Sequence, residues 1–477
     1  MSTVSSPPAR SARHRAGPRR SALPGTGRLW SAALLAVLCA GVGPVLFLWW
    51  QNTIPGSLNT GAACLTAAGR VAGLLAAYLI LVLVALMARV PWLENRIGSD
   101  VVARYHRALG EYTVVLACAH AVLIITGYAW QGGRNPVTES VTVVFDYTDV
   151  WLSALALGLL LLVGVLSARA VRRRLSYETW YHVHLLVYLA AGLAFAHEFA
   201  VGADFSTSAR NRLLWSGAHA AVAAAVLLFR IGLPLARSLR HRLRVTQVVA
   251  EGPGVLSLHL AGRNLDRLDA RPGQFLRWRF LAAGHWWQSH PYSLSAAPGG
   301  DRLRITVKDL GDGSASLARL RPGTRVWFEG PYGTFTAHRG QRGRRVLLIA
   351  GGAGITPIRA LYETLPGHGA DVVLLYRASR EQDLVLYREL AAIAARRGFG
   401  LHPLVGPRGD GGGDGRGGRD GQGRDPLGAE ELRRVVPDLR EREVFLCGPA
   451  GMADAARRGL LLAGVPARRI HTEAFEF

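Results

Sequence analysis

The sequence predicts a bundle of six membrane-spanning helices, followed by an antiparallel β-barrel and then an α/β domain with a parallel sheet. Half of the 477 residues are hydrophobic although the formal net charge is +23, which fits apolar residues concentrated in membrane spans. Short segments that alternate apolar and polar residues begin after Leu235, as strands of an antiparallel barrel would. From Arg345 onward, short β-rich runs alternate with helical stretches, which indicates a parallel sheet.

Six apolar runs are long enough to cross a hydrocarbon core of ~30 Å, which needs about 20 residues. They lie near Leu29–Trp50, Val71–Val90, His106–Trp130, Val150–Ala170, Trp180–Ala200 and Arg212–Leu235. Connecting segments alternate in charge: 89–107 and 169–174 are basic, whereas 51–70 and 131–149 contain almost no Lys or Arg. The positive-inside rule therefore predicts a multi-pass protein of the cell membrane with both termini in the cytoplasm.

Composition argues against several other classes of protein. Arg residues cluster where hydrophobic runs end and no nucleic-acid-binding motif occurs, so we expect no nucleic-acid partner. The four cysteines form no Cys-x-x-Cys and no close cluster, which argues against a disulfide framework, a zinc site or an iron–sulfur cluster. The expected domains are a disordered basic tail (1–28), a membrane domain (29–236), a barrel (240–340) and an α/β domain (341–477) with a disordered insertion (406–424).

Histidines inside the membrane spans are functional candidates, because ionisable residues are costly there. His106 and His120 of the third span lie about 21 Å apart along a helix axis and within roughly 40° of one face. A partner helix with a similar pair would form two bis-imidazole sites stacked across the bilayer, and imidazole is an established haem ligand. In the fifth span, His184 is turned about 140° away from His197 on an ideal helix, whereas His182 lies closer to its face. Either the span contains a local bulge or His182 is the ligand.

A second group of residues has the chemistry of a flat-ring binding site. The segment His290-Pro291-Tyr292-Ser293-Leu294-Ser295 offers an aromatic ring for stacking, with adjacent hydroxyls to hydrogen-bond a ring edge. The strand ending at Lys308 runs into a turn, Gly313-Ser314-Ala315, that opens a helix. A helix N-terminus favours phosphate, so the two segments together predict a site for a nucleotide-like cofactor.

The segment 347–358 predicts a strand, a glycine turn and the start of a helix. Small residues let backbone amides approach a dinucleotide, although this is not a Rossmann fingerprint because Pro357 replaces the third glycine. Gly330–Gly333 upstream and Phe445–Met452 downstream strengthen the prediction. Ser379 and Arg380 follow the next strand and offer donors to a 2′-phosphate, while no acidic residue stands there for a free 2′-hydroxyl, which favours NADPH over NADH.

Taken together, these residues resemble the ferric reductase-like transmembrane family, which also supplies the membrane part of NADPH oxidases. The transmembrane motifs run from Tyr105-His106-Arg107 to His120 and from Trp180 through His182, His184 and Leu186 to His197. The resemblance implies two b-type haems in the bundle, an inner one between His106 and His184 and an outer one between His120 and His197. It favours His184 over His182.

The second half resembles the FAD and NAD(P) domains of ferredoxin–NADP reductases. This resemblance implies that Tyr292 packs on the isoalloxazine, Ser293 approaches its reactive nitrogen, and Cys447 lies beside the nicotinamide. The C-terminal Phe477 would cover the flavin, so Ser293, Cys447 and Phe477 are the catalytic candidates. The other implied cofactor-binding residues are His290, Pro291, Ser295, Lys308, Gly313, Ser314, Ala315, Gly351, Gly352, Gly354, Thr356, Pro357, Ser379, Arg380 and Gly448. His290 stands where the soluble reductases usually carry Arg, and this version is typical of the membrane branch.

The resemblance implies electron transfer from cytoplasmic NAD(P)H through FAD and two haems to a small acceptor across the bilayer. Ferric chelates are the first expected acceptor. Oxygen, giving superoxide, is the alternative, and a cytochrome b subunit that passes electrons to quinone or a partner protein is the third. Arg70 is shared with oxidase-type proteins, but Ile124 stands where those proteins carry a second histidine one turn after the outer ligand.

Overall fold

The computed structural model describes residues 26–54, 56–147, 149–309, 312–337, 345–406 and 425–474. Most of the tail predicted for 1–28, nearly all of the insertion predicted for 406–424, and Phe477 lie outside these described residues.

Six helical stretches of the membrane domain are long and apolar enough to cross a membrane, as predicted. We number them span one (Leu29–Gln51), span two (Gly61–Leu86), span three (Val101–Gly132), span four (Val150–Ser167), span five (Thr179–Ala200) and span six (Ala209–His241). Span two begins at Gly61 rather than Val71 because the Thr60 hydroxyl caps its first turn, accepting a hydrogen bond from the Ala63 amide at 3.2 Å.

Several of these spans are built from more than one helix. The helices of this domain are α1 (Thr26–Ala40), α2 (Val42–Gln51), α3 (Gly61–Leu86), α4 (Pro91–Ile97), α5 (Ser99–Gly132), α6 (Pro136–Asp146), α7 (Val150–Ser167), α8 (Arg169–Arg172), α9 (Tyr177–His184), α10 (Leu186–Val201), α11 (Ala203–Ser206), α12 (Ala209–Val226) and α13 (Leu233–His241), with a π-helical turn at Leu227–Gly232. At 34 residues, α5 is about 51 Å long and extends beyond a hydrocarbon core of ~30 Å.

The middle domain contains two antiparallel three-stranded sheets, ordered β1-β2-β5 and β4-β3-β6. The strands are β1 (Arg244–Gly252), β2 (Val255–Ala261), β3 (Phe275–Phe280), β4 (His290–Ser293), β5 (Arg302–Lys308) and β6 (Val326–Tyr332), with a short helix α14 (Asp312–Ala315) after β5. Their inner faces enclose one apolar core, which includes the fully buried Trp278, Leu258 and Ile305.

The predicted barrel is corrected in one respect, because it is not closed by continuous strand pairing. Among the described residues, the start of β6 meets β1 through the isolated bridge Arg244–Arg325 and a few neighbouring backbone hydrogen bonds, such as Val326 N–H to the Leu243 carbonyl at 2.9 Å. The end of β4 meets β5 in the same limited way, through the bridge Leu294–Ile305 and the Ser295 amide, which donates to the Arg304 carbonyl at 2.9 Å. Part of the β6 edge is used by the membrane domain instead, since the Phe328 amide donates to Ser238 Oγ of α13 at 3.2 Å. The helix leaving the membrane therefore takes a place that a neighbouring strand would occupy in a closed barrel.

The C-terminal domain is a parallel five-stranded sheet of order β11-β10-β7-β8-β9 with helices on both faces. Its elements are β7 (Val346–Gly351), α15 (Ile355–Thr364), β8 (Val372–Ala378), α16 (Tyr387–Arg397), β9 (Gly400–Val405), α17 (Ala429–Val435), β10 (Glu443–Gly448), α18 (Ala450–Leu462) and β11 (Ile470–Ala474). Every residue of β7 is buried, as expected for a parallel strand covered on both faces.

An ion-pair network joins the middle and C-terminal domains. Arg304 of β5 donates two hydrogen bonds to the Glu389 carboxylate of α16, at 2.7 and 2.9 Å. Arg359 of α15 donates to Glu389 at 2.9 Å and also to Glu363, whose carboxylate accepts the Ala297 amide at 2.8 Å. Both arginine side chains are only 9% exposed, so this contact is the polar centre of the domain interface.

This network predicts a pH dependence of stability. Burial raises the pKa of Glu389, but hydrogen bonds and charge from Arg304 and Arg359 outweigh it and hold the pKa below 4.5. The carboxylate therefore stabilises the folded state above about pH 4.5, and this contribution is lost as pH falls through the folded-state pKa. The thermal unfolding midpoint, followed by tryptophan fluorescence, should drop less steeply toward about pH 3.5 in Glu389→Gln than in the wild type. The exposed Glu381→Gln is the matched control, and equal slopes for wild type and Glu389→Gln would contradict the prediction.

Candidate functional site

The structure brings His106 of span three and His184 of span five together. Their ring centroids lie 6.0 Å apart with the planes at 68°. The Nδ1 atom of His106 lies 3.3 Å from the Leu83 carbonyl oxygen, and Nδ1 of His184 lies 3.3 Å from Ser167 Oγ. Trp180 stacks on His184 at 5.0 Å and donates its indole N–H to the same Ser167 hydroxyl. Each imidazole of this inner pair is thus oriented through Nδ1, which leaves Nε2 as its remaining nitrogen.

His120 and His197 form a second pair, with ring centroids 6.5 Å apart and planes at 65°. The Nδ1 atom of His120 lies 2.8 Å from the carbonyl oxygen of Gly69 in span two. Gly73, one turn further along that helix, leaves room for the ring, since a Cβ there would lie 2.5 Å from His120 Nδ1. His197 Nδ1 is buried and has no hydrogen-bond partner among the described residues.

The pairing depends on an interruption in span five. Helix α9 ends at His184 and α10 begins at Leu186, while the Leu185 amide is shared between the carbonyls of Tyr181 and His182 at 3.2 Å each. This irregular turn breaks the register between His184 and His197, as the alternative of a local bulge predicted. His182 is exposed and lies against Trp287 of the middle domain, with ring centroids 5.5 Å apart. The geometry therefore favours His184 over His182 as the partner of His106.

The two pairs fit a bis-imidazole haem site. With metal–nitrogen bonds of about 2 Å, two imidazoles on opposite sides of one metal ion have centroids roughly 6 Å apart. The observed 6.0 and 6.5 Å agree with this spacing. Metal-ligating histidines usually give their other nitrogen to a carbonyl or another polar partner, as His106, His120 and His184 do here. The buried Nδ1 of His197 has no hydrogen-bond partner in the described part of the chain, so the outer pair is the less completely satisfied site.

The sequence singled out Arg70 near the outer pair, but not the polar residues that pack around it. Arg70 donates to Asp204 at 2.6 Å, and the Asp204 carbonyl accepts from the Asn211 side chain at 3.3 Å. Trp215 donates its indole N–H to the Glu198 carboxylate at 2.5 Å. Glu198 was detectable, because an acidic residue directly after an intramembrane histidine is itself a functional signal. Asp204 and Asn211 were not, since they lie at or beyond the ends of apolar runs.

In the middle domain, β4 holds the residues predicted to contact a flat ring. The His290 ring stacks on the half-buried Tyr292, with centroids 6.0 Å apart, and the Trp278 indole donates to the Tyr292 carbonyl at 2.9 Å. Burial raises the pKa of Tyr292, so its phenol stays neutral. Ser293 Oγ is buried and has no hydrogen-bond partner among the described residues. An orphaned hydroxyl beside an aromatic ring fits a site whose missing partner is a flavin edge.

The other residues predicted to contact the flavin differ in their exposure and in their hydrogen-bond partners. Pro291 is exposed, whereas Ser295 is fully buried and its hydroxyl accepts a hydrogen bond from Arg304 at 3.1 Å. Lys308 ends β5, and the short helix α14 contains Gly313, Ser314 and Ala315, as the predicted turn required. Ser314 Oγ donates to Asp309 at 3.1 Å. The hydroxyl of Ser295 is thus engaged in the domain interface described above.

The glycine turn of the C-terminal domain packs tightly against the end of β10. A Cβ on Gly351 or Gly448 would collide with Met452, and one on Gly354 would collide with the Cys447 backbone. Gly352 has φ +52°, the left-handed region that glycine tolerates. These glycines therefore serve the close approach of two loops at the carboxyl edge of the sheet, where a dinucleotide binds in such folds.

The other residues predicted to bind the nicotinamide cofactor differ in their contacts and burial. Thr356 Oγ1 donates to the Thr306 carbonyl of the middle domain at 3.4 Å, and Pro357 is buried beside it. Burial, with a smaller contribution from Glu473, raises the pKa of the fully buried Cys447 well above its usual value, so Cys447 is a neutral thiol. Ser379 and Arg380 directly follow β8, and Arg380 Nε lies 3.5 Å from Asp383. Phe477, the third catalytic candidate, lies outside the described residues.

Comparison with known proteins matches three parts of the chain to families. Residues 72–195 match the ferric reductase like transmembrane component, residues 241–336 an FAD-binding domain, and residues 348–458 an oxidoreductase NAD-binding domain. These matches cover the membrane, middle and C-terminal domains in turn.

Individual relatives cover about half of the chain. The ferredoxin reductase component of 3-ketosteroid-9-alpha-monooxygenase from Mycolicibacterium smegmatis is 33% identical over 49% of this chain and 65% of its own length. An NADPH oxidoreductase from Mycobacterium tuberculosis is 31% identical over 43% of this chain and 52% of its own length. The chain thus spans about half to two thirds of these curated relatives. Among solved structures, the flavohem-like FAD/NAD binding domain of nitric oxide dioxygenase from Vibrio cholerae matches 50% of this chain and 99% of that chain, with 27% identity and a TM-score of 0.41.

The six spans and the two cofactor-binding domains define the class of protein, a multi-pass membrane oxidoreductase that uses FAD and NAD(P)H. Within that class, the chain combines a ferric reductase like transmembrane component with an FAD-binding domain and an oxidoreductase NAD-binding domain, which is the domain combination of ferric reductase/NADPH oxidase-like proteins. The resemblance stated from the sequence motifs is therefore confirmed.

The orphaned hydroxyl of Ser293 predicts a variant with an unusual combination of effects. Ser293→Ala removes no side-chain hydrogen bond to the described residues, so its thermal stability should match that of the wild type. NADPH-driven reduction of a soluble dye should fall about threefold to tenfold, as expected for the loss of one hydrogen bond to the cofactor. Ser257→Ala is the matched control: it loses the 2.8 Å hydrogen bond to Thr306 Oγ1 and should lower stability without lowering turnover. An unchanged dye reduction rate in Ser293→Ala would contradict the assignment.

Arg380 predicts the cofactor preference. The Arg380→Ala variant should lose NADPH preference, with the ratio of kcat/KM for NADPH to that for NADH falling at least about tenfold, because a hydrogen bond to a charged phosphate is lost. The exposed Arg388→Ala removes the same charge from the nearby helix α16 and should leave the ratio unchanged. An equal decrease for both nucleotides would exclude a role for Arg380 in reading the 2′-phosphate.

Proposed function

We propose that this protein carries electrons from cytoplasmic NADPH across the cell membrane to ferric chelates, using bound FAD and two b-type haems. The observation that carries the proposal is the two imidazole pairs, 6.0 and 6.5 Å between ring centroids, on spans that lead away from the middle domain. When bound, FAD would accept hydride from the nicotinamide and the haems would carry single electrons, so the protein's task is largely positioning.

Each domain would position one kind of cofactor: the membrane domain the haems, the middle domain the flavin and the C-terminal domain the nicotinamide. His106 and His184 would hold the haem nearer the middle domain, and His120 and His197 the haem farther from it. Ser293 offers its free hydroxyl to the flavin, and the glycine turn with Cys447 shapes the nicotinamide site.

The orientation in the membrane follows from where the middle domain docks. The middle domain contacts the membrane domain at Arg89 and His182, on the side of the inner histidine pair. The basic connecting segments 89–107 and 169–174 lie on the same side of the spans in sequence order, and such segments stay in the cytoplasm. We therefore place both termini, the middle domain and the C-terminal domain in the cytoplasm.

The choice of acceptor rests on the outer end of the bundle. Ile124 packs against Gly69, at the position where oxidase-type proteins carry a second histidine, and a Cβ on Gly69 would lie 3.0 Å from its side chain. This apolar contact supports ferric chelates over oxygen. Oxygen remains the second candidate because Arg70, the feature shared with oxidases, keeps a buried Nε without a hydrogen-bond partner among the described residues.

Removing one outer histidine tests the haem assignment. His120→Ala should lose one of the two haems and stop electron delivery across the membrane, while NADPH-driven dye reduction on the cytoplasmic side persists. His182→Ala changes a histidine of span five that lies against Trp287, and this variant should retain both haems. Haem content of the purified protein, measured from its reduced b-type absorption bands, distinguishes these outcomes. Two haems in His120→Ala, or one in His182→Ala, would overturn the proposed ligand set.

The acceptor is identified with purified membranes. NADPH should reduce the b-type haems under anaerobic conditions, and addition of a ferric chelate should reoxidise them and form the ferrous chelate at a rate insensitive to superoxide dismutase. Faster reoxidation by oxygen, with dye reduction that superoxide dismutase suppresses, would assign the protein as an oxidase instead. Reoxidation by a quinone alone would favour a cytochrome b subunit.

A further inference from the structure

The loop between β3 and β4, residues 281–289, reaches from the middle domain to the membrane domain. Its shape is set within the middle domain: Arg277 donates to the Ser289 carbonyl at 3.1 Å, and Arg279 donates to the Trp286 carbonyl at 3.4 Å. The amides of His285 and Trp286 both donate to the Ala282 carbonyl. Hydrogen bonds within the middle domain therefore hold the loop in shape, and its Trp287 side chain contacts span five.

Trp287 lies against His182, with ring centroids 5.5 Å apart. The neighbouring Tyr181 is tied to the rest of the membrane domain by Arg230 of span six, which donates to the Tyr181 hydroxyl at 3.3 Å and to the Met87 carbonyl at 3.4 Å. His182 is followed after one residue by His184, whose ring pairs with His106. Trp287 thus contacts the last turn of α9, which carries His184, one member of the inner histidine pair.

The same contact borders the predicted flavin site. A shallow cleft between the two domains is lined by Tyr181, His182 and Arg230 on one side and by Trp287, His290 and Glu329 on the other. The His290 ring stacks on Tyr292, the residue assigned to the flavin face. Aromatic side chains therefore lie along both sides of the junction between the flavin site and the inner pair.

Separate contacts hold the two domains together. Arg89 pairs with Glu329 at 3.0 Å, its guanidinium lies over the Tyr332 ring at 5.7 Å, and Arg237 donates to the Gly330 carbonyl. The covalent link from α13 into β1 adds a further constraint. Loss of the Trp287 side chain would consequently leave the middle domain attached but free to tilt about these contacts.

We propose that Trp287 and His182 form a positioning contact that sets the separation between the flavin site and the inner histidine pair, and thereby the rate of electron transfer between them. This inference rests on the proposed function. Each hydride from NADPH brings two electrons and one proton. The electrons leave singly toward the inner pair, and the proton is released on the cytoplasmic side. Because electron transfer slows steeply with separation, a tilt of the middle domain would slow this step while leaving hydride transfer intact.

The test compares two adjacent tryptophans in the full-length holoenzyme. After rapid mixing with NADPH under anaerobic conditions, Trp287→Ala should show flavin bleaching at the wild-type rate but haem reduction slowed about tenfold or more, the scale on which small displacements act. Trp286→Ala is the matched control, since Trp286 is 62% exposed and does not line the cleft, and it should reduce its haems at the wild-type rate. Trp287→Phe, which keeps an aromatic ring, should recover most of the rate.

Two further measurements separate a positioning contact from general damage. Hydrogen exchange of residues 281–289 should increase in His182→Ala, and that of residues 177–184 in Trp287→Ala, because each segment protects the other. The double variant should be no slower than the slower single variant, as expected for residues that act through one contact.

The outcomes distinguish the two proposals. If wild-type protein shows no NADPH-driven haem reduction, the proposed function fails. If the wild type reduces its haems and Trp287→Ala does so at the same rate, or Trp286→Ala is slowed equally, the positioning contact alone is refuted.

Discussion

The register of span five is the constraint on which the membrane domain depends. In the uninterrupted α5, His106 and His120 return to within roughly 40° of one face, so span three can present both imidazoles to a neighbour. An uninterrupted span five could not place a histidine opposite each of them, because His184 and His197 would point about 140° apart. The irregular turn at Leu185 removes this conflict, and both ring pairs form. Three of the four rings are then held by a neighbouring element: His106 and His120 by carbonyls of span two, and His184 by Ser167 of span four.

The three domains are joined by a covalent connection and by polar and aromatic contacts. Span six continues through α13 directly into β1, and Ser238 of that helix pairs with the β6 edge. Arg89, Arg237 and Trp287 add contacts on the side of the inner pair, while Arg304, Arg359 and Glu389 join the middle and C-terminal domains. The predicted nucleotide site, the predicted flavin site and the inner histidine pair therefore belong to consecutive domains that are in contact, from the C-terminal domain to the membrane domain.

Much of this could be predicted from the sequence because the signals are local. Six apolar runs, the strand periodicity after Leu235 and the alternation after Arg345 each reflect the solvent around a segment, and the three-domain organisation follows from them. The unclosed barrel could not be predicted, because a backbone amide of β6 donates its hydrogen bond to Ser238, which lies on a membrane helix 90 residues earlier in the chain. The engagement of Ser295 by Arg304 was hidden for the same reason, since Arg304 is itself held by Glu389 of another domain.

The sequence by itself determined which residues have the chemistry for a flavin, a nicotinamide and two bis-imidazole sites, because residue type and spacing carry that information. Spacing alone left the choice between His182 and His184 open, although the family resemblance favoured His184, because spacing on an ideal helix cannot reveal where a helix is interrupted. Only the tertiary structure decided that His184 turns toward His106 while His182 turns toward Trp287, since the direction of each ring depends on the turn at Leu185 and on the domain packed against it. A histidine that the sequence offered as an alternative ligand thus becomes part of the junction between the membrane and middle domains.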